Sequence, residues 1–236
     1  MWRMIAILSD VHSNFAALDA VVKDAQSHGA DQYVFLGDAV GYHCEPNECI
    51  ALLRDVAAIS ILGNHDAYVL AGGECPRSRS VTATLKHNLA LLTDESLRWL
   101  GSLPRMRNDG DTLFVHGSPL ETPEGYLYTV SPATLPPGVR TLFCGHTHVQ
   151  ALGRSSAGQT FCNPGAVGQP RDGDPRAAYA LMRGEEIVMR RVEYDVDRTV
   201  AVMVAAGFPP HHYDNLRHGT QIGGRIDSIC FSEDFS

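Results

Sequence analysis

No apolar run in this chain approaches the roughly 20 residues that a membrane-spanning helix needs, so the α-helical membrane class is excluded. The chain is also poor in positive charge, with 19 Lys and Arg against 27 Asp and Glu and a net charge of −8. That is the wrong sign for a protein that holds extended nucleic acid on a basic surface. Any local positive potential must therefore come from elsewhere. Cys-x-x-Cys pairs are missing. The six cysteines, Cys44, Cys49, Cys75, Cys144, Cys162 and Cys230, are scattered, and 236 residues can build a core without disulfide staples. Reduced cysteines and a cytoplasmic location are expected. A secretory signal is not, because Met1-Trp2-Arg3 leads at once into a short apolar run, Met4 to Leu8, with no small-residue cleavage site. Internal repeats and low-complexity tracts are absent too.

Histidine is abundant by contrast, at eleven residues. The apolar segments around these histidines read as short buried strands: Met4 to Leu8, Tyr33 to Leu36, Ile59 to Leu62, Leu113 to Val115 and Thr141 to Cys144. Between the first two, Phe15, Leu18, Val21, Val22 and Ala25 recur at helical spacing, with Gly29 as the stop. Pro46 opens a second helix through Ile50, Leu53 and Val56. A loop is expected over 71–79, then helices around Val81 to Leu92 and Asp94 to Leu100. Strands follow at Val149 to Leu152, Thr160 to Cys162, Ala178 to Met182 and Ile187 to Val192, and a last helix spans Asp195 to Ala206. Successive βα units followed by a β-rich half define an α/β protein with two packed sheets and helices outside. The body spans 1–206. The polar, turn-rich segment 207–236 is expected to dock on the body or on a neighbour.

Each of the first five strands is followed within a few residues by metal-ligand side chains. Leu8 leads to Asp10 and His12, Leu36 to Gly37-Asp38, and Leu62 to Gly63-Asn64-His65-Asp66. Val115 leads to His116-Gly117, and Cys144 to Gly145-His146-Thr147-His148. In open α/β sheets ligands bind outside the carboxyl ends of the strands, so these side chains are expected to converge. Any one of them alone reads as an ordinary structural histidine or turn; the joint pattern carries the inference. Oxygen and nitrogen donors without thiolate suit manganese, iron, zinc or nickel. Seven donors, Asp10, His12, Asp38, Asn64, His116, His146 and His148, exceed one tetrahedral site and match two sites sharing a bridging carboxylate, with Asp38 as the bridge. Two such divalent ions also supply the positive charge that the composition lacks.

These motifs resemble those of the calcineurin-like metallophosphoesterase superfamily: Asp-x-His, Gly-Asp, Gly-Asn-His-Asp, His-Gly and Gly-His-x-His, in order from Asp10 to His148. The resemblance implies a four-layer β-sandwich flanked by α-helices. It places Asp10, His12, Asp38 and His148 around one metal and Asp38, Asn64, His116 and His146 around the other. It further implies that a metal-bridging hydroxide attacks phosphorus in line. His65 would then stabilise charge or protonate the leaving oxygen, and Asp66 would orient the loop or His65. The stretches from Gly41 to Cys49 and from Asn163 to Arg171 look like those of small bacterial and archaeal members, except that His43 stands where they usually have glycine. His43 is thus either a substrate contact or a neutral local change. Ser/Thr protein phosphatases of the superfamily carry Gly-Asp-x-x-Asp-Arg-Gly, whereas this chain has Gly41, Tyr42 and His43 at the corresponding place, which disfavours that subtype.

Arg171, Arg77 and Arg79 are candidate grips for phosphate oxygens. Arg171 ranks first because it follows a tight Gly/Pro loop, and Tyr42 is a candidate pocket wall. His211-His212 reads as a surface pair, and Cys144, Cys162, Phe15, Phe35, Phe114 and Phe143 read as core. The expected activity is hydrolysis of a small phosphate ester, mono- or diester. The alternatives are a non-catalytic scaffold of the same fold, a phosphoprotein phosphatase or a nuclease. The scaffold is disfavoured because no ligand is missing. The nuclease is disfavoured by the acidic balance. No membrane partner is expected, and a homo-oligomer is compatible with this reading.

Overall fold

The computed structural model describes residues 3–235. In chain order the elements are β1 (Ile5–Leu8), α1 (Phe15–Ser27), β2 (Gln32–Phe35), α2 (Pro46–Val56), β3 (Ala57–Ser60), α3 (Asn64–Leu70), α4 (Arg79–Leu91), α5 (Asp94–Ser102) and β4 (Met106–Asp109). There follow β5 (Thr112–Val115), β6 (Thr129–Val130), β7 (Thr141–Phe143), β8 (Gln150–Arg154), β9 (Thr160–Pro164), β10 (Ala177–Arg183), β11 (Glu186–Val192), α6 (Val196–Ala205) and β12 (Cys230–Phe231). Local sequence explains the main boundaries. Asn14 caps α1 by accepting the N–H of Ala17, Pro46 sits in the first turn of α2, and Asp195 caps α6 through the N–H of Arg198.

Two five-stranded sheets form, ordered β11-β10-β1-β2-β3 and β4-β5-β7-β9-β8. The β1–β2–β3 and β5–β7–β9 neighbours pair in parallel, so their carboxyl ends point the same way within each sheet. Both faces of these strands are buried, and the side chains divide with the two-residue period of a strand. Ile7, Val34, Leu36 and Ile61 meet Phe114, Phe143 and Cys162 between the sheets, where Phe114 and Phe143 stack at 5.4 Å. The alternate residues Ala6, Leu8, Tyr33 and Phe35 face the helices through Leu18, Val21, Ile50, Leu53 and Leu85. Burying each of these large side chains contributes about 1.5–3 kcal/mol.

The α/β class with two packed sheets is the one anticipated. The helices lie on the outer side of the first sheet. The outer face of the second sheet, with Leu113, Val115, Leu142 and Phe161, is covered instead by Val130, Leu135 and the carboxyl-terminal Phe231 and Phe235. Residues beyond 206 thus contact the body: β12 pairs with β6, and Tyr213 and Leu216 join Met203 and Cys44 in a small apolar cluster. Two local expectations need correction. The third strand ends at Ser60, before Ile61 and Leu62, which are buried in the run leading to the next loop. His212 is not a surface residue, being 6 % exposed and set against the ring of Phe208. None of the six cysteines is paired. Among the described residues no helix is long and apolar enough to cross a membrane.

Candidate metal centre and substrate cleft

The residues after β1, β2 and β7 turn sharply to reach the rim to which those after β3 and β5 also lead. Asp10, His12, Asp38, His146 and His148 all have positive φ, between 52° and 67°. Residues with a Cβ adopt this conformation rarely, at a cost of order 1–3 kcal/mol each, and such strain clusters at functional sites. The loops are held by named contacts. Asn163 donates to Gly145 O and Thr147 Oγ1, which fixes the Gly-His-Thr-His loop. Asn88 accepts from Ser13 Oγ and from the Gly41 N–H, and donates to His43 O.

Asp66 is the central buttress. Its carboxylate accepts the N–H groups of Gly63 at 3.0 Å, Asp38 at 2.9 Å and Val40 at 3.2 Å. Of its two anticipated roles, the contacts belong to loop orientation; no bond to His65 occurs. Burial, followed by the Asp38 charge, pushes the Asp66 carboxyl up to about 6.

All seven anticipated donors are brought together, and all are buried. His148 Nε2 lies 3.1 Å from His12 Nε2 and 3.2 Å from Asp10 Oδ1. His116 Nε2 lies 3.3 Å from Asp38 Oδ2 and 3.0 Å from Asn64 Oδ1. Three overlapping groups result among the described residues, Asp10 with His12 and His148, His12 with Asp38 and His65, and Asp38 with His116 and His146, so Asp38 is shared by two of them.

The donors suit divalent cations for a reason visible in their outer contacts. Nδ1 of His12, His116 and His148 sits 2.9, 2.8 and 2.6 Å from the carbonyls of Val40, Leu36 and Gln169. A carbonyl can only accept, so each Nδ1 carries the proton and each Nε2 turns a lone pair inward. The facing Nε2 atoms of His12 and His148 are then both acceptors, and Asp10 Oδ1 has no hydrogen-bond partner. A cation satisfies all three. Two donors about 2.1 Å from one ion at a right angle stand about 3 Å apart, as found here.

Electrostatics agree. Burial pushes the Asp10 carboxyl up, but His148, His12 and His116 more than offset it and hold it well below its usual range. Burial acts against protonation of His116, yet Asp38 and Asp10 raise that imidazole to about 10. The carboxylates thus favour positive charge at this point, which a metal ion can supply in place of a proton. Burial lowers His65 and His146, and takes His148 down to about 4.

His65 lies at the rim beside Tyr42 and His12, with Nδ1 unpartnered and facing Gly41. A Cβ at position 41 would come within 2.2 Å of that nitrogen, so only glycine fits. Next to it opens a cleft of about 420 Å³ whose lining includes Tyr42, Asn64, Arg77, Gln169 and Arg171. Arg171 is 5 % exposed, its guanidinium bonds Tyr42 Oη at 2.8 Å, and its Nε has no partner.

His43 does not reach this cleft. It is 1 % exposed, with Nδ1 on His12 O at 2.9 Å, so substrate contact is corrected to a place behind the His12 turn. Burial pushes this imidazole down to about 3, which keeps it neutral. Arg79 opens α4 and does not line the cleft.

Sequence reasoning missed Glu124, Tyr126, Tyr128 and Asn88. Glu124 ties three site residues, accepting from Tyr68 Oη at 2.7 Å, pairing with Arg77 at 3.1 Å and offering its carbonyl to His146 Nε2 at 3.2 Å. No spacing signal marks it. Tyr126 stacks on His146 at 3.9 Å.

Two packed sheets, helices outside the first, with a histidine and carboxylate cluster at one rim, define a metallophosphoesterase-type protein. Residues 4–186 match the profile of the calcineurin-like phosphoesterase superfamily domain, and the chain belongs to that superfamily. It is 31 % identical over 229 residues to an uncharacterized protein of Methanocaldococcus jannaschii, covering 87 % of this chain and 94 % of that one. The crystal structure of a metallophosphoesterase from Sphaerobacter thermophilus superposes with a TM-score of 0.83 at 36 % identity, over 93 % of this chain and 100 % of the other. A hypothetical protein from Pyrococcus horikoshii shares the fold, with a TM-score of 0.79 at 22 % identity over 92 % and 98 % of the two chains.

Proposed function

We propose that this protein hydrolyses small phosphate esters at two divalent transition metal ions. Asp10, His12, Asp38 and His148 would hold one ion and Asp38, Asn64, His116 and His146 the other. The observation that supports this most is the set of three histidines whose Nδ1 atoms are tied to carbonyls while their Nε2 atoms face two buried carboxylates. A pair of such ions supplies a water acidic enough to attack at neutral pH and polarises the phosphoryl oxygens.

The chain's own groups divide the remaining work. His65, rim-placed and held by the Gly41 notch, donates a hydrogen bond or proton to the leaving oxygen. Arg171, a buried guanidinium with no carboxylate partner, binds a phosphoryl oxygen, with Tyr42 fixing its orientation. Asp66 and Asn88 keep the ligand loops in their strained turns without touching substrate.

The test is turnover of p-nitrophenyl phosphate and of its bis ester by protein loaded in turn with manganese, iron, zinc and nickel. Hydrolysis with at least one metal, lost in Asp38→Ala and in His65→Gln, is expected. Inertness of metal-loaded protein toward a broad ester panel would instead favour a non-catalytic scaffold.

A further inference from the structure

The cleft beside the metal centre carries more positive charge than one phosphoryl group requires. Three arginines, Arg77, Arg171 and Arg225, line it, and no aspartate or glutamate does, although the whole chain has a net charge of −8. Two divalent ions held by Asp10 and Asp38 would already leave a net charge of about +2 at the reacting phosphate. Arg171 alone covers a further oxygen. That leaves two cations, each in an ion pair with a carboxylate that is not part of the lining: Arg77 with Glu124 at 3.1 Å and Arg225 with Asp227 at 2.8 Å.

Part of the lining, Gln221, Ile222 and Arg225, comes from the carboxyl-terminal segment, past the end of the matched superfamily domain at residue 186. The Asp227 N–H donates to Arg171 O at 2.7 Å, and its carboxylate also accepts from Tyr128 Oη at 3.3 Å, so Arg225 is tied to the same strap that holds Arg171. At the cleft floor Gln169 is 1 % exposed, and both its amide oxygen and nitrogen lack a partner. A buried amide left so carries its full desolvation cost unless a ligand satisfies it. The volume, about 420 Å³, is in the range of a small organic ligand rather than of an inorganic ion.

We propose that the substrate is a phosphate ester whose leaving group bears a second anionic group, read by Arg77 and Arg225, with Gln169 contacting the portion between the two anions. This rests on the phosphoesterase reading above and adds the class of leaving group to it.

The test compares two non-hydrolysable probes, phenylphosphonate and 4-carboxyphenylphosphonate, which differ only in the second anion. Their binding to the full-length, metal-loaded protein is measured by calorimetry. The carboxylated probe is expected to bind about tenfold or more tightly than the plain one, the worth of one charge-assisted hydrogen bond. In an Arg77→Ala/Arg225→Ala variant that preference should fall below about threefold, while Arg154→Ala, at the end of β8, should keep it. Equal affinity of the wild type for both probes, or a preference that survives the double substitution, overturns the proposal. Should generic esters be hydrolysed while that preference is absent, the phosphoesterase reading stands and this one alone fails. Should neither probe bind and no ester be hydrolysed, both fail.

Discussion

The carboxylate of Asp66 accepts the backbone N–H of Asp38 at 2.9 Å, so a residue on α3 sets the conformation of the turn that carries the proposed bridging ligand. The same carboxylate caps its own helix at Gly63 and holds Val40. Replacing it with Ala leaves three buried N–H groups without their acceptor. Asp66→Ala should cost roughly 3 kcal/mol or more in denaturant unfolding and should weaken metal retention on dialysis. Unchanged stability with full metal content would mean that the turn holds itself.

Gly41 offers an independent check on His65. An alanine there would need φ near +96° and would press its Cβ to within 2.2 Å of His65 Nδ1. Gly41→Ala should therefore lower turnover about 10²-fold, the typical worth of a positioned acid or base, while the bound metal count stays that of the wild type. Turnover within about threefold of the wild type would remove His65 from the chemistry.

The pH dependence of stability should show a group far from the centre. Burial pushes the Asp24 carboxyl up, but hydrogen bonds from Tyr179 and Arg190 outweigh it and the net shift is downward. A lowered carboxyl stabilises the fold above its unfolded pKa and loses that contribution as pH falls below it. Asp24→Asn should thus be less stable than the wild type at neutral pH by about 1 kcal/mol, with the difference shrinking as pH falls below about 4. A difference that is constant with pH would assign the effect to packing.

Removal of residues 207–236 tests whether they form an extension of the body. Phe231, Phe235 and Ile229 cover the outer face of the second sheet, and Tyr213 and Leu216 cover Met203. At about 1.5–3 kcal/mol for each large side chain, the deletion should cost several kcal/mol, seen as a lower Tm and as aggregation in light scattering. A truncated chain with an unchanged Tm would make the segment an independent appendage.

The strand-end histidines were legible because period and chemistry coincide there: a short apolar run, a small or acidic residue, then a ligand. Asp10, Asp38 and His146 follow that rule, His12 and His148 stand two positions further on, and His116 follows its apolar run directly. The helix at Asn64–Leu70 was hidden because Gly63-Asn64-His65-Asp66 reads equally as a turn, and only the three N–H groups gathered by Asp66 decide between them. His43 was left between a substrate contact and a neutral local change because residue type alone does not give direction, whereas burial and the His12 carbonyl do. Tyr126 and Arg225 line the cleft, and Glu124 ties to it through Arg77 and Tyr68, by contacts between segments distant in sequence, which no local pattern encodes. For the same reason the cover of the second sheet by Phe235 was invisible before the fold was known.

The proposed function rests on seven donors holding two cations. It is tested most directly by anomalous diffraction from crystals of manganese-loaded protein, read together with elemental analysis. Two manganese ions per chain are expected, roughly 3.5–4 Å apart, with Asp38 touching both and Nε2 of His12, His116 and His148 facing them. A single ion, none, or imidazoles turned away from the density would contradict it.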